Sequence, residues 1–156
     1  MKPLEIERKW RVGSLPEDIR TRLESCAASE IEQGYLCTEP VVRVRREDGA
    51  FWLTYKGKGL MTREEYNLPL TEEAYERLIR KTEGIVLTKT RYRIPLSEGL
   101  TAELDLFHGR YEGLIYVEVE FDDEAEANTF QAPSWFGREV TDDPSSSNAA
   151  LSLGNC

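Results

Sequence analysis

Charged and apolar side chains alternate at every second position over much of this chain. In "LEIERKW" (residues 4–10), Glu5, Glu7 and Lys9 fall in one phase and Ile6 and Trp10 in the other. Successive side chains of a strand point to opposite faces, so the pattern predicts a strand over 4–12. The same period predicts strands over 41–47 ("VVRVRRE"), 50–57, 61–70, 85–96, 100–109 and 114–122. A shorter, mixed strand is expected over 31–38 ("IEQGYLCT"). Asp48-Gly49 is a strong hairpin turn between 41–47 and 50–57, and "SEG" joins 85–96 to 100–109. Two segments read as helices. Residues 15–28 carry Pro16 near the start, with Ile19 and Leu23 one turn apart. Residues 71–82 open on Thr71 and acids before Leu78 and Ile79. Shorter helices are expected over 122–130 and, capped by serine, over 145–153. The sum is an α+β chain dominated by antiparallel sheet, in one domain over 1–156, with no repeat or linker.

The polar phase of these strands is almost wholly ionic. Glu5, Glu7, Lys9 and Arg11 share a face on the first strand and Arg43 and Arg45 on the third. Lys56 follows with Thr54 on the fourth, then Arg63, Glu65 and Asn67 on the fifth. Lys89, Arg91 and Arg93 mark the sixth, Glu103 and Asp105 the seventh, and Glu118 and Glu120 the eighth. Signs segregate, with acids on strands one, seven and eight and bases on three, four and six. Such a face is either the open back of a sheet or the lumen of a closed barrel, for which eight strands suffice. A charged lumen must be paired, hydrated or filled by ligands. The sorted signs fit a polyanion held by the bases and a cation held by the acids. Arginine offers a planar fork to phosphate and lysine a compact charge.

Composition narrows the chemistry. The three cysteines, Cys26, Cys37 and Cys156, include no C-x-x-C pair, which argues against a disulfide framework or a zinc site. One histidine, His108, excludes a His-based triad or a multi-His metal centre. A metal site must then be built from carboxylates, which favours a hard cation, Mg2+ or Mn2+. A net charge of −9 is a poor footprint for duplex nucleic acid. No apolar run is long enough to span a bilayer. "MKPLEIERKW" carries charge where a signal peptide needs an apolar stretch, so a cytoplasmic protein is expected.

The segment "EIERKW" resembles the E-x-E-x-K signature of the CYTH superfamily, the triphosphate tunnel metalloenzymes. "QGYL", "VRVR", "LTYKG", "TREEY", "KTRY", "ELDLF", "VEVEF" and "WFGREVT" are similar to further family segments and stand in the same order. The resemblance implies an eight-stranded antiparallel β-barrel, a tunnel with helices outside, that hydrolyses a triphosphate with a divalent metal. It implies Glu5, Glu7 and Glu120 as metal ligands, with Asp105 and Glu118 near a second metal or its waters. Phosphate binding falls to Lys9, Arg43, Arg45, Lys56, Arg63, Lys89 and Arg91, and the catalytic set to Lys9, Glu65 and Lys89. The substrate implied is a small molecule, inorganic tripolyphosphate. Adenylate cyclase or thiamine-triphosphatase activity, or a non-catalytic polyphosphate- or nucleotide-binding module, are the alternatives. No nucleic-acid or membrane partner is expected, and a homodimer is left open.

Two departures stand out. Asn67 occupies a position where the family often has an acid. "DDPSSSNAAL" replaces a tail that usually carries a basic and an aromatic residue, in a helix that caps or gates one tunnel mouth in relatives.

Overall fold

The computed structural model describes residues 3–154; Cys156 lies outside the described residues. The strands are β1 (Leu4–Arg11), β2 (Ala27–Thr38), β3 (Val41–Glu47), β4 (Ala50–Lys56), β5 (Thr62–Pro69), β6 (Glu83–Pro95), β7 (Thr101–Phe107), β8 (Ile115–Glu120) and β9 (Arg138–Glu139). The helices are α1 (Glu17–Leu23), α2 (Glu72–Ile79), α3 (Glu124–Thr129) and α4 (Asn148–Ser152).

The strands run in the order β5-β4-β3-β2-β6-β7-β8-β1, and β1 pairs back onto β5 with Glu5 opposite Arg63. Eight antiparallel strands thereby close into a barrel. β1 is shared along its length: Leu4–Ile6 pair with β5, and Trp10–Arg11 pair with the two-residue β9. Gly137 makes this possible, since at φ 83 a Cβ there would meet the Arg11 carbonyl oxygen at 2.4 Å.

The apolar phase points outward and is covered piecewise. Ile6, Trp10, Ile94, Leu104, Val117 and Val119 pack with Val12, Leu15 and Ile19 of the α1 region, Ala127 of α3 and Phe136. Arg8 fastens α3 to β1, donating to the Ala127 and Phe130 carbonyls at 2.8 and 3.1 Å while its fork grips Glu139 at 2.7 and 2.8 Å. α2 lies over β2, β3 and β4, with Tyr75 buried against Phe51. The outer faces of β4 and β5 are left open at Tyr55, Tyr66 and Leu68.

A second apolar cluster closes one end of the lumen. Leu87, Phe107 and Tyr116 share the inward phase and gather with Tyr35, Tyr111, Val140 and Leu151 of α4. α4 is capped by Ser147, whose Oγ accepts the Ala150 amide at 3.0 Å, as the serine run predicts, but it spans only Asn148–Ser152.

Two boundaries differ from the sequence expectation. The helix expected over 15–28 ends at Leu23, and β2 starts at Ala27 rather than 31. Ala27 and Ala28 favour a helix in isolation, but here they pair with Arg93 and Tyr92 of β6, and pairing overrides propensity. β9, only two residues long, was not anticipated. Cys26 and Cys37 are free, partly exposed thiols directed at the Arg22 and Pro40 carbonyls. Trp52 has the phase of Thr54 and Lys56 and is 36% exposed at the open mouth. Among the described residues no helix is long and apolar enough to cross a membrane.

Candidate active site

Strand order turns the sorted charges into two walls. β1, β8 and β7 are neighbours, so Glu5, Glu7, Glu120, Glu118, Glu103 and Asp105 form one continuous acidic side. β4, β3, β2 and β6 are also neighbours, bringing Lys56, Arg43, Arg45, Lys89, Arg91 and Arg93 to the other. β2 carries no lumen charge between its basic neighbours; Ser29, Ile31 and Gln33 face inward there.

The walls meet at two seams. At one, Lys89 Nζ donates to Asp105 Oδ2 at 2.7 Å, and Arg91 grips both Asp105 oxygens at 2.8 and 2.9 Å. Arg91 also reaches Glu118 at 3.1 Å. Asp105, expected at a metal, thus faces Lys89 and Arg91. At the other seam, Lys56 Nζ donates to Glu5 at 3.0 Å and lies 3.3 Å from Glu65. Arg63 stands opposite Glu5 on β5. Lys9 is turned to the closed end, where its ammonium donates to the Ser146 carbonyl at 2.7 Å and lies 4.2 Å from the Tyr116 ring centre. At the open mouth Arg93 holds Glu47 at 2.5 Å and Ser29 at 2.8 Å.

Several of these groups are far from their ordinary ionisation. Burial pushes Lys89 down to about 7; Asp105 opposes this, while the charges of Arg91 and Arg45 add to it. Burial also raises the Glu5 carboxyl to about 7, against the pull of Lys56. Glu7 is pushed well above the usual carboxylate range by burial and by the charges of Glu118 and Glu5. Burial would raise Glu118 too, but Lys9, Arg91 and Lys89 outweigh it and hold that group well below the usual range. The interaction between the Glu7 and Glu118 carboxyls acts in opposite directions on the two, raising Glu7 and lowering Glu118. Arg45 is lowered to about 9 by burial and by Arg43 and Arg91.

The donor set suits a hard cation, because burial without enough counter-charge raises Glu5 and Glu7 and a bound cation would supply the missing positive charge. Among the described residues, no three Asp, Glu, His or Cys side chains converge on one point as they stand. The acids are turned to bases or to one another. On the basic side the shortage is of acceptors. Arg43 Nε is buried without a hydrogen-bond partner. Arg45 has Gln33 Oε1, to which its Nε and Nη2 donate at 3.0 and 2.7 Å.

Gln33 and Thr54 are site residues that the charge pattern did not select. Thr54 was in phase but uncharged. Gln33 sits beside irregularities in β2 between Gln33 and Tyr35 and between Tyr35 and Cys37, which break the period that would have exposed it. His108 lies outside the lumen, its Nε2 2.7 Å from Thr90 Oγ1.

Comparison with known proteins gives a consistent picture. The CYTH domain family model matches residues 3–145. An inorganic triphosphatase of Nitrosomonas europaea is 38% identical over 152 residues, covering 96% of this chain and 97% of that one. An inorganic triphosphatase of Acetivibrio thermocellus is 41% identical over 124 residues, covering 76% and 77%. A crystal structure of an inorganic triphosphatase superposes with a TM-score of 0.68 at 37% identity, over 96% of this chain and 94% of that one. A protein from Pyrococcus horikoshii shares the fold at a TM-score of 0.52 and 23% identity, over 80% of this chain and 82% of that one.

Proposed function

The chain belongs to the CYTH domain family, and from that premise we propose that it hydrolyses inorganic tripolyphosphate to pyrophosphate and orthophosphate with a divalent cation, Mg2+ or Mn2+. The observation that carries this reading is the buried, two-walled lumen. One wall has basic groups short of acceptors, and the facing wall has carboxylates short of counter-charge.

Arg43, Arg45, Lys56, Arg63 and Arg91 would hold phosphate oxygens along the lumen, and Lys9 the phosphate nearest the closed end. Glu5, Glu7, Glu118 and Glu120 would hold the cation. A bound divalent ion offsets phosphate charge and polarises the phosphoryl group. Phosphoryl transfer otherwise needs positioning and charge stabilisation more than covalent chemistry. Lys89 is fitted to accept a proton from the attacking water. It is fully buried, neutral above about 7, and oriented by Asp105 at 2.7 Å. The water's oxygen forms the new bond to phosphorus, the bond to the leaving pyrophosphate oxygen breaks, and Lys89 holds the released proton. Glu65, with Lys56 and Glu5, would fix the seam beside the cation.

The test is orthophosphate release from tripolyphosphate by purified protein with Mg2+ or Mn2+, set against a chelator control. Turnover that needs the metal supports the reading; no turnover with either metal contradicts it.

A further inference from the structure

The acidic and basic walls are joined on the β3–β4–β5 side by an uncharged pair. Arg43, Thr54 and Asn67 are direct register partners across these three strands, and Lys56 and Glu65 are the next inward-facing pair. Arg43 Nη2 donates to Thr54 Oγ1 at 3.3 Å. The Thr54 hydroxyl has one proton, and it donates to Asn67 Oδ1 at 2.6 Å. The Asn67 amide nitrogen then donates to Glu65 Oε1 at 3.1 Å. Thr54 is wholly buried and Arg43 nearly so, while Asn67 is exposed at the open mouth.

This chain of donors needs an amide at its centre. Position 67 must accept from a hydroxyl on one side and donate to a carboxylate on the other, without carrying charge. An ionised acid there would face Glu65 with no proton between them. It would also place a negative charge beside Thr54, in competition with phosphate for Arg43. With asparagine, Arg43 is held by a single long hydrogen bond, and its buried Nε is left free for another acceptor.

We propose that Asn67 is a positioning residue: through Thr54 it aims Arg43 into the lumen, and its neutrality keeps that guanidinium available to substrate phosphate. This rests on reading the lumen as a tripolyphosphate site. The role is one of affinity rather than of chemistry, because neither Asn67 nor Thr54 adjoins Lys89 in the strand register.

The test uses Asn67→Asp, which is isosteric and lies at an exposed position. Tripolyphosphate binding is measured by calorimetry in chelator, and kcat and KM are measured with Mg2+. The variant is expected to bind tripolyphosphate about tenfold more weakly and to raise KM by a similar factor, with kcat within about twofold, the size of one lost charged hydrogen bond. Thr54→Val, which removes the relay, should weaken binding by itself and reduce the further effect of Asn67→Asp to its through-space charge. Thr54→Ser, which keeps the hydroxyl, should restore wild-type binding and guards against a folding defect in the valine variant. Wild-type affinity in Asn67→Asp, a fall in kcat at unchanged KM, or strictly additive effects would each overturn the proposal. If wild-type protein binds tripolyphosphate without cleaving it, the hydrolytic reading fails, yet the affinity ratio still decides the role of Asn67.

Discussion

Lys89 Nζ lies 2.7 Å from Asp105 Oδ2, and the two side chains are 0% and 1% exposed. Burial disfavours both charges; the lysine yields, titrating near 7, while Asp105 remains below the usual carboxylate range because Arg91 and Lys89 outweigh its own burial. If Lys89 accepts the water's proton, kcat rises with pH through about 7 and levels off above it. Lys89→Arg keeps the charge but cannot titrate in this range. It should lose the neutral limb and about 10²–10⁴ in rate at pH 8. A pH–rate profile of both proteins checks this.

Metal-free stability should depend on pH in an unusual direction. Folded Glu5 titrates near 7 rather than 4.5, and Glu7 is also raised. The folded state therefore binds more protons than the unfolded chain in this window. The stability Glu5 contributes is complete below about 4.5 and is lost as pH rises through about 7, and Glu7 adds a loss in the same direction. Thermal melting in chelator should fall from pH 5 to pH 7.5. Glu7→Gln should flatten that slope, and added Mg2+ should raise the melting temperature most at the higher pH.

Gln33 is the acceptor that makes a buried Arg45 tolerable. Gln33→Leu removes it and leaves a guanidinium beside Arg43 and Arg91, with Glu47 at 3.7 Å as a remaining acidic neighbour. A loss of about 1–3 kcal/mol is expected for the unmet donors. Urea denaturation measures this, and tripolyphosphate binding should partly recover it by supplying a new acceptor.

The closed end depends on Leu151, which is wholly buried among Tyr35, Leu87, Phe107 and Tyr116. Leu151→Ala should cost about 2–5 kcal/mol. The urea midpoint should fall with the slope unchanged.

The strands and the identity of the lumen charges were legible because the side-chain period is strict where one face is ionic. Glu7 and Lys9 stand opposite Glu120 and Glu118 in the pairing of β1 with β8, and Glu5 keeps the same phase where β1 passes to β5. The order of the strands was not legible. Nothing local in "VEVEF" says that β8 lies beside β1, yet that adjacency is what makes one wall acidic. The partners of each charge were hidden for the same reason: Asp105 is sixteen residues from Lys89, and only β6–β7 pairing brings them together. Uncharged members such as Gln33 and Thr54 carried no sign to sort. The start of β2 was masked because alanines favour a helix until a neighbouring strand claims them.

The central claim is tested most directly by following tripolyphosphate with ³¹P NMR in the presence of the protein and Mg2+ or Mn2+. The account predicts loss of the tripolyphosphate signals with pyrophosphate and orthophosphate appearing in equimolar amounts, abolished by chelator and by Glu7→Gln. Intact tripolyphosphate with both metals, or conversion of ATP to a cyclic nucleotide in its place, would contradict it.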